Sequence, residues 1–209
     1  MNDQEILKAI AEAKGSDKRN FKQSVDVVFN LQNIDFNRPD NKIDIKVVLP
    51  AGRGKPLKVG VFGDADFLSK ATEADVKIKK DQLNKKPREI RKIAEDVDFF
   101  LAQTSIMVDI AKSWGKFLGT RGKMPQPLPP AADPSAMIKR FKSTVVLRSK
   151  GKTPSTLHCS FGVQDMDDAK LMENLQAILN ALTEKLPNKE QNIKSAYVKT
   201  TMSKCFKII

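Results

Sequence analysis

The sequence predicts a two-domain protein: a split α+β domain formed by both ends of the chain, and an α/β domain inserted between them. Three observations predict it. Segments near both termini alternate apolar with polar residues, the period of a strand with one face buried and one wet. Segments in the middle are nearly continuous apolar runs separated by helical patterns, as in a parallel sheet covered on both faces. The change of style falls at "GRGKP" and "SKGKTP", two stretches rich in glycine, proline and lysine. The expected boundaries are 1–56 with 152–209 for the split domain and 57–151 for the insert. Two crossings at one place make a hinge, a role that suits Gly52, Gly54, Pro56, Gly151 and Pro154.

The first element is the helix "DQEILKAIAEAK", with Ile6, Leu7, Ile10 and Ala13 on one stripe, ended by "GSDKRN". In "SVDVVFNLQ", Val25, Val27, Phe29 and Leu31 alternate against Ser24, Asp26, Asn30 and Gln32. "KIDIKVVLP" repeats the pattern with Ile43, Ile45, Val47 and Leu49 inward, and two such strands can pair antiparallel. "LKVGVFG" opens the insert as a strand buried on both faces. Helical "DADFLSKATEA", short "DVKIKK", the basic helix "PREIRKIAEDV" and a second buried run, "DFFLAQ", follow. One helix, "SIMVDIAKSWGKFLG", leads into "FLGTRGKMPQPLPP", whose glycines turn the chain and whose prolines forbid regular structure. "DPSAMIKRFK" and "STVVLRSK" complete the insert. Alternation returns in "STLHCSFGV", with Leu157, Cys159, Phe161 and Val163 inward. The helix "DDAKLMENLQAILNALTEKL" carries Leu171, Leu175, Ile178, Leu179, Leu182 and Leu186 on one stripe. The closing "SAYVKTTMSKCFKI" puts Ala196, Val198, Thr200 and Met202 on one side.

A chain of 209 residues can bury one generous core or two modest ones. It has no run of about eighteen uncharged apolar residues to cross a bilayer. Its first twenty residues carry acids and a helical period where a signal peptide needs a basic start and an apolar block. The expectation is a cytoplasmic protein without a membrane partner. Cys159 and Cys205 have no spacing that suggests a disulfide framework or a zinc site. His158 adjoins Cys159, but neighbours on a strand point to opposite faces, so no metal site is expected. A formal net charge of +12, from 37 Lys and Arg against 25 Asp and Glu, suits a polyanionic partner such as a phosphate backbone.

Catalysis has little support. "VGVFGDADF" is a strand ending in glycine before a helix, but it lacks the further glycines of a dinucleotide fingerprint and the Gly-Lys-Ser/Thr of a P-loop. Asp64 and Asp66 read as acids in a helix's first turn. "QDMDDAK" lacks the glycine and distal glutamate of a calcium loop. No nucleophile has an assignable base, so no catalytic residue and no cofactor are expected. "VKIKKDQLNKKPREIRK", the densest basic stretch, reads first as a solvated helix face and second as an RNA contact.

"FLGTRGKMPQP" resembles the signature of the large-subunit ribosomal protein L-one family: Leu118, Gly119, Arg121, Gly122, Met124 and Pro125 fit its pattern. "NFKQSVDVVFNLQNIDFNRPDNKIDIKVVLPAGRGK" resembles that family's first strands and "SAYVKTTMSK" its terminal strand. The likeness spans nearly the whole chain, and "RGKMP" resembles the archaeal type. The resemblance implies a split RNA-binding domain with an inserted Rossmann-like domain. It implies a monomer when free that binds 23S ribosomal RNA of the mobile stalk and assists release of deacylated tRNA from the exit site. It implies repression of the protein's own messenger RNA through the same surface.

The resemblance places the ribosomal RNA site on Phe21, Ser24, Ser195, Thr201 and Met202. Hydroxyls there would bond 2′-hydroxyls and phosphates, while Phe and Met would pack on sugar or base faces. Lys22, Lys199, Ser203 and Lys204 would support it. Arg121 and Lys123 would either face outward as a tRNA-side loop or serve a purely structural loop. Two departures stand out: Ser203 replaces a usual glycine after Thr-Met, and Asn20 replaces a basic residue before Phe21. A close RNA approach that needs bare backbone would be weakened by Ser203. The alternative from a different class is a small α/β enzyme acting on a nucleotide or RNA at the Gly63 turn.

Overall fold

A computed structural model of the chain describes residues 3–16, 19–36, 38, 41–55, 57–130, 132–149 and 155–208. In chain order the elements are α1 (Asp3–Gly15), β1 (Ser24–Leu31), β2 (Asp44–Val48), β3 (Val59–Gly63), α2 (Ala65–Lys70), β4 (Val76–Lys79) and α3 (Pro87–Asp96). They continue with β5 (Phe99–Gln103), α4 (Met107–Ser113), α5 (Gly115–Arg121), β6 (Gln126–Leu128), α6 (Pro134–Lys142) and β7 (Thr144–Arg148). β8 (Thr156–Val163), α7 (Asp168–Lys185), β9 (Ile193–Thr200) and β10 (Phe206–Lys207) complete the chain. The protein is a mixed α/β structure with one parallel and two antiparallel sheets. It divides into two compact units: a terminal unit of Met1–Lys55 with Ser143–Ile209, and a central unit of Pro56–Lys142.

In the terminal unit, β1 alternates because one face meets the core: Val25, Val27, Phe29 and Leu31 are buried, and the residues between them are half-buried. β1 pairs antiparallel with β8 on one side and β9 on the other, and β10 returns along β9. β1 therefore does not pair with β2. The partner of β2 is β7, with Asp44 opposite Arg148 and Val48 opposite Thr144. This pairing moves "STVVLRSK" out of the expected insert and into the terminal unit, so the second crossing precedes Ser143 rather than following Gly151. The apolar stripes of α1 (Ile6, Ile10, Ala13) and α7 (Leu171 to Leu182) join the inner residues of both sheets in one core. Met202 is not on that inner side: β9 ends at Thr200, and Met202 lies exposed in the turn that follows.

Ala51 and Gly52 are held by Asn174, a wholly buried polar residue on α7. Its Oδ1 accepts from the Ala51 N–H at 3.1 Å, and its Nδ2 donates to the carbonyls of Gly52 (2.8 Å) and Phe161 (3.0 Å). Gly52 and Gly54 both take positive φ, 71° and 73°, and a Cβ on Gly54 would stand 2.6 Å from a Val163 methyl. Of the other residues suited to a hinge, Pro56, Gly151 and Pro154 lie outside the described residues.

The central unit is a parallel sheet in the order β4-β3-β5-β6, the order of an open doubly wound sheet. Phe62, Ile78, Phe100 and Ala102 face α3, α4 and α5, while Val59, Val61 and Leu101 face α2 and α6. Covering both faces is why these strands read as unbroken apolar runs. Two expectations change. The helix from Ser105 divides at Trp114, whose indole N–H donates to the buried Leu83 carbonyl at 2.9 Å, and it runs on to Arg121. The proline stretch does form a strand: β6 pairs with β5, and Pro127 is tolerated because β6 is the sheet's edge.

Candidate nucleic-acid interface

Four of the five site residues come together at one corner of the terminal unit. The segment 21–24, leading into β1, is stitched to the turn 201–203 that follows β9. Ser24 N–H donates to Thr201 Oγ1 at 3.2 Å, and Thr201 N–H donates to the Ser24 carbonyl at 3.1 Å. Met202 N–H donates to Gln23 Oε1 at 3.1 Å, and the Gln23 carbonyl accepts from Gln164 N–H at 2.9 Å. Gln23 is completely buried, so this junction is rigid. On either side of it stand two large apolar side chains in water, Phe21 (55% exposed) and Met202 (53%). Exposed Phe and Met held by a hydrogen-bonded frame offer stacking surfaces at little entropic cost.

Ser195 is elsewhere. Five residues before Thr200 on β9, it sits about 17 Å away along the strand. Its Oγ accepts from Asn30 Nδ2 at 3.0 Å, and Asn30 Oδ1 accepts from Thr156 Oγ1 at 3.2 Å. This row is one of three crossing the outer face of the sheet. Asp26 lies between Ser160 and Lys199, and Val28 between His158 and Tyr197. Burial pushes the Asp26 carboxyl above the usual carboxylate range, against the opposing pull of the Ser160 hydrogen bond and the Lys199 and Arg53 cations. The alternation of Ser24, Asp26 and Asn30 in β1 marked this face in the sequence. Its partners on β8 and β9, and the bracket role of Gln23, became visible only with the register.

The supporting residues divide. Lys204 is exposed and has no ion-pair partner among the described residues, and Lys199 lies beside Asp26. Lys22 pairs with Asp165 at 2.9 Å, a bond that raises its already high pKa. Ser203 is 8% exposed: its Oγ accepts from Thr200 N–H at 2.8 Å and donates to the Lys204 carbonyl at 2.9 Å. The side chain turns inward and closes the turn, so it does not occupy the outer surface. Asn20 is exposed beside Phe21.

Arg121 and Lys123 do not face outward as free cations. Arg121 pairs with Glu95 of α3, and Lys123 Nζ donates to the carbonyls of Ala94 (3.1 Å) and Val97 (2.7 Å) at the end of that helix. Only Gly122 turns the chain, at φ 67°. Its N–H bonds to Gly119 and that of Lys123 to Leu118, the pattern of a left-handed helix cap. "GTRGKMP" is thus a clamp between the ends of α5 and α3.

The Gly63 turn is filled. A Cβ there would meet the Phe67 ring at 2.5 Å, and the Asp64 N–H is taken by Gln103 Oε1 at 3.1 Å. The Asp64 amide at this turn is therefore already bonded within the chain. The acids of "QDMDDAK" are paired with lysines: Asp165 with Lys22, Asp167 with Lys170 and Asp168 with Lys14. Among the described residues no group of acids, histidines and cysteines could hold a metal ion, and none of the helices is long and apolar enough to cross a membrane. Cys159 is buried, its thiol pushed up to about 12 chiefly by burial, and Cys205 is exposed.

Comparison with known proteins points to a ribosomal protein rather than to an enzyme. Large ribosomal subunit protein uL1 of Methanothrix thermoacetophila is 42% identical over 209 residues, covering 98% of this chain and 96% of that protein. The proteins of the same name from Archaeoglobus fulgidus and Thermococcus kodakarensis are 42% and 37% identical, each covering 98% of this chain and 97% of their own. These relatives are named as proteins of the large ribosomal subunit, and the enzyme reading falls with that. Residues 7–204 match the model of a single family, so both units are included, and the chain belongs to the ribosomal protein L1p/L10e family.

Proposed function

We propose that this protein is a structural constituent of the large ribosomal subunit, in the cytoplasm, that holds 23S ribosomal RNA of the mobile stalk with its terminal unit. The observation that carries the reading is the exposed pair Phe21 and Met202, set on the rigid Ser24–Thr201 junction. RNA packs its sugars and bases against the two apolar side chains while Ser24 and Thr201 present hydroxyls to its backbone. The RNA then follows the outer sheet face toward Ser195, with Lys199 and Lys204 adding salt-dependent attraction. Family membership supports this reading, and so does the net charge of +12.

The finer roles rest on the same surface. The split domain binds RNA, and the inserted Rossmann-like domain swings on the glycine-flanked crossing at residues 52–56 as deacylated tRNA leaves the exit site. The protein's own messenger RNA competes for the Phe21–Met202 surface when the protein is in excess. With Arg121 and Lys123 bound to α3, the tRNA side of the central unit needs other cations.

The test is binding of the full chain to a stalk-RNA fragment across a salt series, with Phe21→Ala and Met202→Ala beside the parent. Phe21→Ala is expected to cost about 1–3 kcal/mol of binding, the range for losing a base-stacking aromatic side chain, and Met202→Ala to weaken binding by less. Both side chains are in water, so the fold should be unaffected. Unchanged affinity in both variants would refute the site.

A further inference from the structure

The central unit's charge is concentrated in one segment. Residues 77–92 hold eight Lys and Arg against two acids, while the rest of the unit holds nine against nine. All of the unit's net charge of +6 therefore sits in β4, the turn after it and the first half of α3. Of the acids outside the segment, Glu95 pairs with Arg121, Asp96 with Lys58, and Asp109 with Lys80 at 3.7 Å, which leaves Asp81 and Glu89 as the acids within it. Among the described residues Lys85, Lys86, Arg88 and Lys92 have no ion-pair partner, and Arg91 is held over the Phe117 ring at 5.6 Å. The turn is not a loose tether, since the Trp114 indole fastens Leu83 to the core. Beside it opens a cleft of about 380 Å³ lined by Lys80, Asn84, Lys112 and Ser113 around Asp109. Lys77 and Lys79 flank the buried Ile78 and so point to the other face of the edge strand.

We propose that this surface, formed by Lys80, Lys85, Lys86, Arg88, Arg91 and Lys112, is a second RNA-binding site that grips the phosphate backbone of duplex RNA. A protein partner would need an apolar anchor at the centre of its footprint. The exposed large hydrophobics of this unit, Val108 and Met124, do not line the cleft. A phosphate backbone needs only cations and polar donors at fixed positions, which the anchored turn supplies. The proposal shares with the preceding reading the premise that RNA is the partner, but it rests on different residues. It supplies the central-unit cations that Arg121 and Lys123 do not.

The test uses the full chain and a labelled RNA duplex without stalk sequence. The variant Lys85→Gln/Lys86→Gln/Arg88→Gln/Arg91→Gln is expected to bind it at least about tenfold more weakly at low salt. The slope of log affinity against log salt should become shallower by about 4, near one for each lost phosphate contact. Phe21→Ala/Met202→Ala should leave duplex binding unchanged while weakening stalk-RNA binding, which separates failure of one site from failure of the other. Because Arg91 packs on Phe117, Lys80→Gln/Lys85→Gln/Lys86→Gln, confined to the turn, guards against misfolding and should also weaken duplex binding. Parental affinity and salt slope in both variants would overturn the proposal. So would displacement of the duplex by polyglutamate as readily as by unlabelled duplex, which would make the strip a general polyanion surface.

Discussion

Ser24 and Thr201, 177 positions apart in sequence, bond to each other through both backbone and side chain at the edge of the terminal unit. The Thr201 hydroxyl oxygen is an acceptor for the first amide of β1, so it is structural before it meets any RNA. Thr201→Ala should cost about 1 kcal/mol of stability, a fall of roughly 2–4 °C in thermal midpoint. It should weaken stalk-RNA binding as well, while Thr201→Ser, which keeps the oxygen, restores both. Loss of affinity in the serine variant would show that the methyl group, and not the hydroxyl, makes the contact.

Ser203 allows a sharper test, because the structure reverses the expectation drawn from its type. The side chain supplies the acceptor for Thr200 N–H and is turned away from the surface. Ser203→Gly should therefore destabilise the protein by about 1–2 kcal/mol, from the lost hydrogen bond and the added backbone freedom. Stalk-RNA affinity should stay unchanged. Tighter binding in this variant would mean that the side chain does obstruct the RNA.

The strands and helices were legible in the sequence because each apolar stripe or alternation reflects one local period. What stayed hidden was set by pairing between distant segments. β1 and β2 look alike and adjacent, yet β2 needs β7, and no local pattern in "STVVLRSK" distinguishes a strand of one unit from a strand of the other. The corner of the candidate site shows the same limit. Phe21, Ser24, Thr201 and Met202 were named from resemblance, whereas Gln23, which holds Met202 in place, looks like any surface glutamine until its complete burial is seen. Arg121 and Lys123 illustrate the opposite error. Cations beside glycines look available, but Lys123 is bound to the carbonyl end of α3.

That bond predicts a structural phenotype for Lys123. Its ammonium bonds two carbonyls left open at the end of α3 and lies at the negative end of the helix dipole. Lys123→Met keeps much of the aliphatic stem and removes the charge, and should cost about 1–2 kcal/mol in chemical denaturation. Affinity for stalk RNA and for plain duplex should not change. A variant of parental stability with weakened RNA binding would restore the outward-facing loop.

Asn174 should be the most sensitive of these positions. Three backbone groups depend on its amide, two of them in the 51–52 loop. Asn174→Leu keeps a similar volume but leaves those groups buried without partners, at about 1–3 kcal/mol each. The expected result is a loss of at least about 3 kcal/mol, together with faster tryptic cleavage after Arg53 as the loop comes free. Unchanged cleavage would place the loop's rigidity in Gly54 and its neighbours instead.

Asp26 links the fold to pH. Burial raises its native pKa above the unfolded value, so the native protein holds that proton to higher pH than the unfolded chain does. Between the two values the native state binds more protons, and stability falls as pH rises through that window. Above the window the carboxylate remains a constant burden, only partly relieved by Ser160, Lys199, Arg53 and His158. Asp26→Asn removes the burden, so its thermal midpoint should exceed the parent's at pH 7 and converge with it below about pH 4, near the ordinary carboxyl pKa. The same substitution takes a negative charge off the outer sheet face and should tighten stalk-RNA binding at pH 7. Thermal melts at the two pH values separate this account from its rival. A midpoint below the parent's at pH 7 would show that the Ser160 bond and the neighbouring cations outweigh burial, and that Asp26 stabilises the sheet as an ion.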